Sequence, residues 1–212
     1  MATPWRVPSE FVGRTVAVMA SGPSMNAAVV EKVRAAGVPM LVTNDTFELA
    51  PDAWALVAND AHWWMHHAQT ALKFVGHKVC VQRGCCPFPA VLELLDTGHK
   101  RDFCGFDPDL ECIRTGGNSG FTALHIAMQA GAKRILLCGM DLGGPNWHGA
   151  HDGNLRTTKP ETYAIWAKRF ESLVAPAKER GIEILNCSPD SALKCFPFVE
   201  LEDALEACVQ PH

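Results

Sequence analysis

The stretch from residue 115 to residue 142 constrains the fold most, because a glycine-rich lead-in, a helical period, a single glycine and an unalternating apolar run follow one another without a break. Phe121, Leu124, His125 and Met128 fall at the i, i+3, i+4, i+7 spacing of one helical face. Gly131 stands where a helix takes its left-handed cap. Ile135, Leu136, Leu137 and Cys138 then run apolar without alternation, which suits a strand buried on both faces of a parallel sheet. The run ends near a carboxylate, Asp141. Gly117, Asn118, Ser119 and Gly120 open the helix, with Ser119 in the N-cap region. The glycines leave backbone N–H groups accessible, so the positive helix end can receive an anion. A capped crossover helix with no ligand would carry the same pattern.

The start of the chain repeats this grammar. Residues 15–20 form a second buried-strand pattern that runs into Ser21, Gly22, Pro23 and Ser24, and a helical pattern over 26–36 follows, with Val29, Val30 and Val33 on one side and Gly37 as its stop. Gly22 can take backbone angles closed to other residues, Pro23 fixes the turn, and the two serine hydroxyls can cap the helix or bind a phosphate oxygen. The lysine of a Walker A loop is absent. A strand over 40–43 ends in Asn44-Asp45, one over 54–58 in Asn59-Asp60, and one over 183–185 in Asn186. In an open parallel sheet such ends line the ligand crevice, although Asn and Asp also favour turns in their own right. The expectation is an α/β three-layer sandwich whose mostly parallel sheet has about six strands, with 15–20 and 134–138 central.

With 212 residues, 48% of them hydrophobic, the chain has material for one sizeable core, and residues 1–212 read as a single domain. A net charge of −4 argues against a broad footprint for duplex DNA, although a local basic groove would not show in the sum. Nine scattered cysteines without a CxxC pair indicate neither a disulfide framework nor a zinc ribbon and point to the reducing cytoplasm. No apolar run approaches the roughly eighteen residues of a membrane span. Oligomer formation is left open.

Between the strands lie less regular pieces. His62 and His66 share a helical face at i, i+4 and could bind a metal with Asp60, or belong to an ordinary helix buried through Trp63 and Met65. Lys78 to Val81 reads as a short strand. Residues 83–114 are the least regular insertion, with a short helix expected near 91–95. After Asp141 comes a loop with four glycines that carries His148, His151 and Asp152; a mobile histidine suits general acid–base work, and Asp152 could set the tautomer of its neighbour. Residues 159–180 read as one long amphipathic helix with Ile165, Trp166, Phe170, Leu173 and Val174 inward, followed by a strand over 182–185 and a terminal helix near 201–209.

Taken in order, these motifs resemble two related Rossmann-like groups. One is the 6-hydroxymethylpterin diphosphokinase (MptE-like) domain common in phage genomes. The other is the family of bacterial sialyltransferases that use CMP-sialic acid, similar over most of the chain, including Cys187-Ser188-Pro189-Asp190-Ser191-Ala192-Leu193, which resembles their Cys-Pro-Asn-Ser-Leu-Leu turn. The resemblance implies that the turn from Ser21 to Ser24 faces a nucleotide, that Asn44 holds its phosphate or sugar, and that Asn118 and Ser119 lie beside the leaving phosphate. His151 matches the second histidine of a His-x-x-x-His loop that carries the base, but the spacing here is His-x-x-His, so the base is His148 or His151. Those enzymes also use tyrosines on the leaving phosphate, and this chain has one, Tyr163.

Three functions follow. The first is a metal-independent glycosyltransferase with a CMP-type nucleotide-sugar donor, a small-molecule or glycan acceptor and no required cofactor. The second is an MptE-like diphosphokinase in which ATP sits in the same crevice and Asp60 with Asp141 holds magnesium. The third is a nucleotide-binding protein without chemistry.

Overall fold

The computed structural model describes residues 1–81, 85–98, 103–149 and 158–209. Its strands are β1 (Thr3–Pro4), β2 (Thr15–Met19), β3 (Met40–Thr43), β4 (Ala55–Val57), β5 (His77–Cys80), β6 (Leu92–Glu93), β7 (Leu95–Asp96), β8 (Cys112–Ile113), β9 (Arg134–Cys138) and β10 (Glu183–Asn186). The helices are α1 (Ala27–Ala35), α2 (Ala61–His66), α3 (Ala68–Ala71), α4 (Ser119–Gln129), α5 (Pro160–Phe170), α6 (Val174–Glu179) and α7 (Leu201–Val209).

Eight strands pair, all in parallel, in the order β1-β6-β5-β4-β3-β2-β9-β10, while β7 and β8 form a separate small pair. The two most uniformly apolar segments, β2 and β9, lie side by side from Thr15 against Arg134 to Met19 against Cys138. Alternate residues feed two cores. Val16 and Val18 pack with Leu124, Ile126, Phe170 and Leu173 from α4 and the α5–α6 region, whereas Ala17 and Met19 pack with Val30, Val33, Trp64 and Leu205 from α1, α2 and α7. A strand buried on both faces has no polar side to alternate, which is why these runs were legible.

Local signals also hold where the backbone requires them. Asn26 caps α1 by accepting from the N–H groups of Ala28 and Val29, and Gly37 and Gly131 end their helices at φ +67° and +88°. Four expectations are corrected. The short helix near 91–95 is instead two strand fragments, because Leu92–Glu93 pairs with both β1 and β5 and buries Val91 and Leu94 on its flanks. The single helix over 159–180 is broken at Glu171–Leu173, ahead of Pro176, whose ring nitrogen cannot donate back to Ser172. Phe170 and Leu173 are buried as expected, but Ile165 is 52% and Val174 39% exposed. Met65 is likewise exposed, while Trp63 and Trp64 are buried.

Helix α4 is buried at every residue after Ser119, so it is not amphipathic in place. Its outer side is covered by residues 103–114 of the insertion. His125 is fully buried and stacked on Phe106; the Asp107 N–H donates to its Nε2 at 3.1 Å, and its Nδ1 lies 3.1 Å from the Arg114 carbonyl oxygen. Gln129 Nε2 donates to the carbonyls of Asp107, Asp109 and Cys112. These contacts suit a neutral imidazole with its proton on Nδ1. Burial pushes the His125 pKa down from 6.5 to about 4. The unfolded chain therefore binds the extra proton between those values, and the neutral form's contribution to stability, roughly 3 kcal/mol at its limit, is present above pH 6.5 and lost toward pH 4. Urea unfolding at pH 7 and pH 4.5 should show that loss, and His125→Gln should flatten the dependence.

Candidate functional site

The chain lays down β2, β3, β4 and β5 in one direction across the sheet, then returns to place β9 and β10 on the other side of β2. The order reverses between β2 and β9, and a crevice opens at the C-terminal ends there, as expected for an open parallel sheet. It has a volume of about 890 Å³. Its floor is built from the residues after β2, β3, β4 and β9 and from the N-terminus of α4, and its walls are α2, the segment Leu142 to Asn146, and Tyr163 with Trp166 on α5. Among the residues expected in the site, Ser21, Gly22, Asn44, Asp60, Gly117, Asn118, Ser119 and Gly120 all line this crevice.

The close fit of two strand-end turns explains why Gly22 and Gly139 are glycines. A Cβ on Gly22 would lie 2.0 Å from Asp141 Oδ2 and 2.6 Å from the Gly139 carbonyl oxygen, and one on Gly139, at φ +65°, would lie 2.5 Å from the Ala20 carbonyl oxygen. Pro23, Ser24 and Asp141 sit behind this contact and do not line the crevice. The Ser24 hydroxyl and N–H both donate to Asp141 Oδ2, at 2.8 and 3.3 Å, so the carboxylate ties the first turn to the end of β9. Burial raises the Asp141 carboxyl above its ordinary range, against the pull of those Ser24 bonds.

The N-cap of α4 is Asn118 rather than Ser119: its Oδ1 accepts from the Phe121 N–H at 2.8 Å. Ser119 is the first helical residue, and its hydroxyl joins the helix start to two strand ends by donating to Asn44 Oδ1 at 3.2 Å and accepting from the Asn59 N–H at 3.1 Å. Asn44 holds a left-handed φ of +46°, and Leu142, on the opposite wall, holds +50°. Backbone strain of this kind at non-glycine residues costs about 1–3 kcal/mol each and collects at binding sites. Two buried polar atoms on the floor, Asn118 Nδ2 and Asn59 Oδ1, have no hydrogen-bond partner among the described residues. A donor and an acceptor left in this way are open to a bound molecule.

Asp60 is exposed at the crevice, and its Oδ1 caps α2 by accepting from the His62 N–H at 2.8 Å. His62 and His66 line the same wall. Among the described residues, no group of three His, Cys, Asp or Glu side chains could hold a metal ion. No lysine side chain among them lines the crevice, and the Arg169 guanidinium sits beside the crevice residue Gly117, donating to the Gly116 carbonyl at 2.9 Å. His148 lies outside the crevice lining: its Nε2 is 3.5 Å from Asp45 Oδ2, beneath the glycine-rich loop. His151 and Asp152 lie outside the described residues. Sequence reasoning missed Trp63, Tyr163 and Trp166 as crevice residues. The i, i+3 spacing of Tyr163 and Trp166 was the available signal, but the helical period had turned Trp166 toward the core.

No helix among the described residues is long and apolar enough to cross a membrane. No family model matches the chain, and no curated protein matches it. Among solved structures, the chain is similar to the MAf glycosyltransferase from Magnetospirillum magneticum AMB-1, with a TM-score of 0.61 and 13% sequence identity over 97% of this chain. It spans only 38% of that protein's length, and at this identity the likeness is one of fold.

Proposed function

We propose that the protein is a metal-independent glycosyltransferase that takes a CMP-type nucleotide-sugar donor in the crevice between β2 and β9. The observation that carries the reading is the N-terminus of α4, whose first residues Ser119 and Gly120 line the crevice, with no lysine on the described walls and the Arg169 guanidinium beside Gly117 already donating to the Gly116 carbonyl. A helix end offers the equivalent of about half a positive charge. That suits a single phosphodiester. A triphosphate, with several negative charges, calls for a cation or a lysine, and of the two aspartates that could hold magnesium, Asp141 is engaged by Ser24.

In this reading the amides of Ser119 and Gly120 hold the donor phosphate, and the carboxamides of Asn44 and Asn59 meet the sugar or ribose. His151 takes the proton from an acceptor hydroxyl as that oxygen bonds to the anomeric carbon. The bond from that carbon to the phosphate oxygen breaks, its electron pair stays on the nucleotide, and the helix end stabilises the charge. The likeness in fold to a protein named as a glycosyltransferase supports the same class.

A thermal-shift screen of CMP, CDP, UDP, GDP and ATP, each with EDTA or with magnesium, tests it. CMP in EDTA should raise the Tm, with stabilisation near 2.7 kcal/mol at a hundredfold excess over its Kd. A shift by ATP that appears only with magnesium would favour the diphosphokinase built on Asp60 and Asp141 instead.

A further inference from the structure

We propose that Asp45 is a positioning residue that fastens the glycine-rich wall of the crevice through His148. Asp45 is 5% exposed and is approached by three groups from two separate parts of the chain, α2 with its C-cap and the loop after β9. Trp63 Nε1 donates to its Oδ2 at 3.3 Å, His67 Nε2 lies 3.3 Å from Oδ1, and His148 Nε2 lies 3.5 Å from Oδ2. His67 stacks on Trp63 with ring centroids 4.5 Å apart, and Trp63 is itself a wall of the crevice. One buried carboxylate therefore joins the α2 wall to the loop wall.

The loop has need of such a fastening. It leaves β9 through the left-handed Leu142, and Gly143 to Asn146 then line the crevice. Among the described residues, a Cβ on Gly143 or on Gly149 would meet nothing within 4 Å, so their packing does not hold the backbone at those points. What holds it lies at Trp147 and His148: the Trp147 N–H donates to the Ser21 carbonyl at 3.1 Å, its Nε1 to Thr46 Oγ1 at 3.3 Å, and His148 Nε2 comes within 3.5 Å of Asp45 Oδ2, a polar contact without hydrogen-bond geometry. A glycine-rich segment loses much backbone entropy on ordering, and an anchor at its end lets the wall be formed before the ligand arrives.

The test is a double-mutant cycle with Asp45→Asn and His148→Gln, read by amide hydrogen exchange over residues 142–149 and by CMP titration. Each single change should speed loop exchange and weaken CMP binding by about tenfold, and the double variant should be no worse than the worse single one, because both remove the same contact. Exchange in β2 and β9 should stay at the wild-type rate, which separates loosening of the loop from general destabilisation. Unchanged loop exchange, or effects that add in the double variant, would overturn the assignment. So would a rise in Tm with zinc that His148→Gln abolishes, since the cluster would then be a metal site. The affinity arm rests on the nucleotide reading of the crevice. If wild-type protein binds no CMP, that reading fails, and the exchange arm still decides the role of Asp45.

Discussion

Replacing His151 with alanine is expected to lower turnover by a factor on the order of a hundred to ten thousand, the usual contribution of a positioned proton-transfer group, while leaving CMP affinity nearly unchanged. His151 follows the end of β9 by a glycine-rich loop and has Asp152 as its sequence neighbour, and the proposed transfer needs a base for the acceptor hydroxyl. His148 is the informative control. Its imidazole faces Asp45 rather than the crevice, so its loss should act on affinity and loop order instead of on the chemical step. Steady-state kinetics of both variants on a CMP-sugar donor separate the two roles. Full turnover in His151→Ala, or loss of nucleotide binding in its place, would remove His151 as the base.

Gly22→Ala should damage both the crevice and the stability of the fold. The new carbon would lie 2.0 Å from Asp141 Oδ2 and 2.6 Å from the Gly139 carbonyl oxygen. The carbonyl cannot retreat without breaking the bond it accepts from the Gly22 N–H at 2.8 Å, and the carboxylate cannot retreat without releasing Ser24. Overpacking of this kind costs typically 1–3 kcal/mol. Here it also displaces the turn that lines the crevice, so CMP affinity should fall by more than tenfold along with a lowered Tm. A variant with wild-type Tm and wild-type CMP affinity would mean that the two turns are not in register as described.

Much of the floor of the crevice was legible because its signals are local. Gly22, Asn44, Asp60 and the Gly117 to Gly120 block each sit at a strand end or helix start that residue type alone marks out, and they converge because parallel strands bring like ends together. Signals that depend on distant partners were misread. Leu92 and Glu93 become a strand only because β1 and β5 flank them, and β1 comes from the far end of the chain. Trp166 has a core-like period but faces the crevice, since only the C-terminal part of α5 reaches the sheet. Pro176 was visible in the sequence, but the helical period around it outweighed the break. The cluster at Asp45 had no signature, because Asp45, the α2 pair Trp63 and His67, and His148 lie in three distant segments that meet only in the folded chain.

The central claim is that a nucleotide phosphate sits on the N-terminus of α4 without a metal. The direct measurement is a titration of ¹⁵N-labelled protein with CMP in EDTA, followed through the backbone amide resonances. The account predicts that the amides of Ser119 and Gly120 shift most, with those of Gly22 and Asn44 moving alongside. Saturating CMP that leaves Ser119 and Gly120 unmoved, or shifts that appear only once magnesium is added, would contradict it.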